Sequence, residues 1–131
     1  MARKILLAED DKDDQDFFMM YLKDRGDLSI LPIVNNGEEV IEYLNCNSCY
    51  NSLPDLIILD QNMPRLNGLN TLAQLKANAA YAHIPVMIYS TYADENLVHK
   101  SLAQGAALVC TKPEDERGYN RLIDQFLEAH K

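Results

Sequence analysis

Five short apolar runs alternate with five stretches of helical periodicity along this chain. That alternation leaves few folds open, because parallel strands need crossover helices and a sheet built from them is covered on both faces. The runs are Lys4-Ile5-Leu6-Leu7-Ala8, Ser29 to Val34, Leu56-Ile57-Ile58-Leu59, Val86-Met87-Ile88-Tyr89 and Leu108-Val109-Cys110-Thr111. Four of them lead straight into polar residues: Glu9-Asp10-Asp11, Asp60, Ser90-Thr91 and Lys112-Pro113. In an open parallel sheet the carboxyl ends of the strands share one edge, and ligands bind in the crevice there. The pattern predicts an α/β fold whose sheet edge gathers carboxylates, a hydroxyl and a lysine, a set suited to a divalent metal and a phosphoryl group.

The helical stretches fill in the rest. Phe17, Met20 and Tyr21 recur at helical spacing up to Gly26, a candidate C-cap. The second run contains Pro32, which places that strand at the sheet border. Asn35-Asn36-Gly37 signals a turn into a helix from Glu38 to Asn45, and the polar stretch from Asn45 to Ser52 reads as a loop. Leu69, Leu72 and Leu75 predict a helix after Gly68, and Val98 with Leu102 predict one ending at Gly105. In the last helix Tyr119, Leu122, Ile123, Phe126 and Leu127 form one apolar face, leaving Arg121, Asp124, Gln125 and Glu128 outside.

Length and charge bound the function. The 131 residues fit one domain, 1–131, with a single core. The apolar run after Met1-Ala2-Arg3-Lys4 is shorter than the roughly 7–15 residues of a secretory signal, and none approaches the roughly 18 of a membrane span, so the expectation is a soluble, cytoplasmic protein with no membrane partner. A formal net charge of −8 argues against a nucleic-acid partner, whose phosphates need a basic stripe. Asp13, Asp14 and Asp16 read as solvated acids at a helix N-terminus. Cys46 and Cys49 match a C-x-x-C spacing, but they follow a helix and open a loop rather than sitting between strand and helix, and they read as an incidental loop pair.

Glu9, Asp10 and Asp60 brought within contact distance repel one another, and either a proton or a cation must relieve them. An oxygen-rich site with open positions suits Mg²⁺. Lys112 adds a mobile point charge for a phosphate oxygen, and Ser90 a hydroxyl donor.

In this order and at these strand ends, Glu9-Asp10, Asp60-Gln61-Asn62-Met63-Pro64 with Gly68 beyond, Pro85 with Ser90, and Lys112-Pro113 resemble the receiver domain of two-component response regulators, over Lys4 to roughly Phe126. The resemblance implies a doubly wound (βα)5 fold, a five-stranded parallel sheet of flavodoxin-like order 2-1-3-4-5. It also implies that Asp60 is the phosphoacceptor, helped by Ser90 and Lys112, and that Glu9, Asp10, Asp60 and the backbone carbonyl of Asn62 hold Mg²⁺. A cis Lys112–Pro113 peptide belongs to the same pattern. The implied activity is acceptance of a phosphoryl group from a sensor histidine kinase or a histidine phosphotransfer protein. The domain assists its own phosphorylation and dephosphorylation without being an enzyme in the usual sense. It would signal as a stand-alone receiver through protein contacts, with the helical and fifth-strand face as contact or homodimer surface.

Some positions depart from the family pattern. Val109 stands where many receivers carry an aromatic switch residue, Thr91 is bulkier than the residue frequent there, and Tyr89 and Tyr92 flank the hydroxyl site, although core packing explains Tyr89 at least as well. A haloacid-dehalogenase-type hydrolase would need an acid at Asn62, and a flavodoxin a hydroxyl- and glycine-rich loop where Glu9-Asp10-Asp11 stands. The alternative is a receiver-like interaction module that works without phosphorylation, against which the complete set of acids, hydroxyl and lysine speaks.

Overall fold

A computed structural model of the protein describes residues 2–47 and 53–130. Strands β1 (Arg3–Ala8), β2 (Leu28–Ile30), β3 (Leu56–Asp60), β4 (Val86–Ser90) and β5 (Leu108–Thr111) alternate with helices α1 (Lys12–Leu22), α2 (Gly37–Asn47), α3 (Gly68–Ala77), α4 (Glu95–Ala103) and α5 (Glu116–Ala129). The strands form one parallel sheet in the order β2-β1-β3-β4-β5, the order that the resemblance implies.

Residues two apart on a strand share a face, and the two core clusters follow this rule. Leu6, Ala8, Ile57, Leu59, Val86 and Ile88 pack with Val40 and Leu44 of α2 and Leu72 and Leu75 of α3. Ile5, Leu7, Ile58, Met87 and Tyr89 pack on the other face with Phe18 and Leu22 of α1 and Tyr119, Leu122, Ile123 and Phe126 of α5. Burying each of these large side chains is worth about 1.5–3 kcal/mol before chain entropy is counted. Side-chain caps start all five helices: Asp11, Asn36, Asn67, Asp94 and Asp115 each accept at least one backbone N–H from the first turn, a contribution of about 1 kcal/mol apiece.

Several expectations need correction. β2 stops at Ile30, and Val34 only returns as an isolated bridge to Ala8, because Pro32 has no N–H to continue the ladder. α1 ends at Leu22 with Lys23 as its cap, so Gly26 lies in the turn beyond and closes no helix. On α1 it is Phe18 and Leu22 that are buried, whereas Phe17 and Met20 are exposed. Leu102 of α4 also faces outward, and Ser101 takes the buried position. Cys46 sits in the last turns of α2 and not in a loop, since the helix continues through Asn47, while Cys49 lies outside the described residues. No described peptide is cis, so Lys112–Pro113 is trans. The trans bond is the intrinsically favoured form, and Lys112 continues the sheet with its N–H donating to the Ser90 carbonyl at 2.8 Å.

Gly68 is where α3 meets the end of β3. A Cβ there would lie 2.7 Å from the Asp60 carbonyl oxygen and 3.1 Å from Gln61 Cα, both backbone atoms. Gly68→Ala is therefore expected to destabilise the fold by about 1–3 kcal/mol, the usual cost of overpacking, read as a lower urea midpoint. An unchanged midpoint would mean that α3 can slide away from the strand end at no cost.

Candidate functional site

The register of the sheet builds the site. Asp60 pairs with Tyr89 and Tyr89 with Cys110, while the β1–β3 pairing runs to Ala8 and Leu59, which brings Glu9 in beside Asp60. This row of side chains points toward α1 and α5. Glu9 is fully buried and Asp60 is 2% exposed; Asp10 is exposed, so the cluster opens to solvent on its side. Each of the three acids offers a carboxylate oxygen, and these atoms lie within 4.8 Å of one another. An all-oxygen set with one solvent-facing member fits a hard divalent cation that keeps part of its water shell.

Lys112 enters from the end of β5. Its Nζ lies 2.8 Å from Asp14 Oδ2, 3.0 Å from Glu9 Oε1 and 3.4 Å from Asp60 Oδ1. Burial lowers the lysine pKa, but the hydrogen bonds to Asp14 and Glu9 and the charge of Asp60 outweigh it, so the ammonium is held charged beyond the ordinary lysine range. Asp60 moves the other way for a carboxyl. Burial, then the charge and hydrogen bonding of Glu9, push it up to about 7, with Lys112 and the Asn62 N–H opposing. Near neutral pH a cation bound at this carboxylate would have to displace a proton.

The remaining predicted residues are placed as follows. The Asn62 N–H donates to Asp60 Oδ1 at 3.3 Å. Ser90 is buried at the end of β4, where its Oγ donates to the Tyr92 carbonyl at 3.3 Å. Thr91 and Tyr92 are exposed beyond it. Cys110 shares the row, but burial raises its thiol to about 11, leaving it protonated and unreactive.

Two members of the site escape the sequence patterns. Asp14 is a partner of Lys112 and no mere solvated acid, because Asp11 caps α1 through the N–H groups of Asp13 and Asp14 and the first turn then aims side chains back toward the sheet edge. Tyr89 donates its O–H to Glu9 Oε1 at 2.7 Å. Burial, then Glu9, raises its pKa, so it remains a phenol. Strand alternation is the available signal, since Tyr89 shares the face of Met87 and pairs with Asp60.

Comparison with known proteins bears on this arrangement. A family described as the response regulator receiver domain matches residues 5–124. The chain is 27% identical over 125 residues to an uncharacterized 14.6 kDa protein in the sodA1 3′ region of Leptolyngbya boryana, covering 95% of this chain and 90% of that one. Among solved structures, the phosphorylated cyanobacterial phytochrome response regulator RcpA superposes with a TM-score of 0.84 at 27% identity. The Mn²⁺-bound form of response regulator Rcp1 gives 0.79 at 29% identity. Each comparison covers 98% of this chain and 93% of the other.

Proposed function

Because the chain belongs to the response regulator receiver domain family, a signalling domain of two-component systems, we propose that Asp60 accepts a phosphoryl group from a histidine kinase or a histidine phosphotransfer protein. One observation carries this reading: a buried carboxylate at a strand end, flanked by two further acids and 3.4 Å from a charged lysine. In the transfer an Asp60 carboxylate oxygen bonds to phosphorus as the phosphorus–nitrogen bond of the donor breaks, and the donor imidazole keeps the electron pair. Glu9, Asp10, Asp60 and the Asn62 carbonyl would hold Mg²⁺, which when bound neutralises charge on the transferring group. Lys112 supplies a second positive charge there. Ser90 offers its hydroxyl to the phosphoryl oxygens once it leaves the Tyr92 carbonyl.

Residues 1–131 act in this reading as one cytoplasmic receiver unit, and the added negative charge redistributes two conformations of the β4 end. The output is protein contact, through a kinase or a second copy. The net charge of −8 gives no attraction for nucleic acid.

Intact-mass measurement after incubation with a small phosphodonor tests the reading. A single phosphoryl adduct is expected with Mg²⁺ and none after chelation. A chain that stays unmodified under both conditions would leave only the phosphorylation-independent interaction module.

The metal site is separately testable by calorimetry. Asp10→Ala removes a ligand and is expected to weaken Mg²⁺ binding by at least about tenfold. In the parent, affinity should climb with pH by up to about tenfold for each pH step of one below pH 7 and then level off, because Asp60 must lose its proton first. Equal affinity in Asp10→Ala and parent would place the metal elsewhere.

A further inference from the structure

Tyr89 is 1% exposed and packs among the rings and aliphatic side chains between the sheet and α5. Packing accounts for the ring but not for the hydroxyl, since phenylalanine would fill the same space with no buried polar atom to satisfy. The hydroxyl donates to Glu9 Oε1 at 2.7 Å. That same oxygen lies 3.0 Å from Lys112 Nζ, and the other Glu9 oxygen accepts the Asp11 N–H at 3.1 Å. Lys112 Nζ also stands 5.2 Å from the centroid of the Tyr89 ring, within reach of a cation–π attraction. One side chain from β4 thus touches both an acid from the end of β1 and the lysine from the end of β5.

We propose that Tyr89 is a positioning residue of the phosphoacceptor site, its hydroxyl fixing the Glu9 carboxylate and, through Glu9 and the face of its ring, the Lys112 ammonium beside Asp60. The proposal rests on Asp60 being the phosphoacceptor. Glu9 has three side-chain torsions, and freezing them is entropically unfavourable unless several partners share the task. Asp11 N–H, Lys112 and Tyr89 together leave it one orientation. Without the hydroxyl, Glu9 keeps the Asp11 N–H on Oε2 and the lysine on Oε1, so its carboxylate can turn about the Asp11 contact and draw the ammonium, still held by Asp14, out of register with Asp60.

Tyr89→Phe removes one oxygen from filled space. The expected results are Mg²⁺ binding about tenfold weaker by calorimetry, and phosphoryl uptake from a small phosphodonor about tenfold slower at saturating Mg²⁺, with the final stoichiometry unchanged. In a Glu9→Ala background the same substitution should alter neither quantity, because the hydroxyl acts through Glu9. A lowered urea midpoint with parental affinity and rate overturns the proposal, as does equal slowing in both backgrounds. Should Tyr89→Phe fail to fold, ¹³Cζ-tyrosine resonances of the unmodified protein decide: the buried Tyr89 signal is expected to move on Mg²⁺ addition, and a signal fixed up to saturating Mg²⁺ overturns the proposal. A parent that takes up no phosphoryl group, in which Tyr89→Phe still weakens Mg²⁺ binding, would overturn the Asp60 assignment while upholding the role of Tyr89 at the metal site.

Discussion

Asp60→Asn is expected to abolish phosphoryl uptake and, above pH 7, to yield a more stable protein than the parent. The first effect follows from the proposed role of the Asp60 carboxylate as the nucleophile. The second follows from its pKa, pushed up to about 7 by burial and by Glu9. In the unfolded chain the same group titrates near its ordinary value, so between about pH 4 and 7 the folded state holds a proton that the unfolded state has released. Stability therefore falls as pH rises through that window, and the full penalty persists above it. Asparagine does not ionise and escapes the penalty. Each tenfold change in proton affinity is worth about 1.4 kcal/mol. Solvent screens the cluster on the Asp10 side and roughly halves the effect, so the gain is on the order of 2 kcal/mol at pH 8 and vanishes below about pH 4. Urea midpoints at the two pH values, without metal, check this. A parent and variant that differ equally at both would show that folding leaves the proton affinity of Asp60 unchanged.

Lys112→Met should have the opposite sign and a larger size. Among the described ion pairs, Lys112 is the sole cation reaching Glu9, Asp14 and Asp60. Its replacement leaves buried carboxylates uncompensated, a change that typically costs about 3–5 kcal/mol. Mg²⁺ can restore positive charge at the same place, so the variant's urea midpoint is expected to rise with Mg²⁺ more steeply than the parent's. The deficit should also be larger at pH 8 than at pH 5, since Asp60 is ionised only at the higher value. Parallel Mg²⁺ dependence of the two proteins would show that lysine and metal do not serve the same carboxylates. Phosphoryl uptake in the variant should be slow even at saturating Mg²⁺, because the second positive charge is missing from the transferring group.

Much of this architecture is legible in the sequence because the strands are nearly pure apolar runs and each ends on a residue of different chemistry. Leu56 to Leu59 can be little else than a central strand, and Asp60 is fixed by where that run stops. The strand order itself comes from a resemblance, with Pro32 as its independent support. Local signals do less well where tertiary packing decides. Phe17 and Met20 sit at helical spacing, yet the sheet selects Phe18 and Leu22 as the inner face of α1. Asp14 and Tyr89 are part of the site through contacts made 98 and 80 residues away in sequence. No pattern confined to one segment encodes such a pairing.

The shortness of β2 has a consequence for how the protein behaves at high concentration. An outer strand is a template on which another chain can assemble, and long flat borders are the usual starting points of fibrils. Here the border strand offers three residues, Leu28 to Ile30, before Pro32 interrupts the supply of N–H donors. β5, at the opposite border, is only four residues long. Both margins of the sheet are too brief to recruit a foreign strand, and Pro32→Val, which would lengthen one of them, is the substitution by which solubility would be lost without any loss of core.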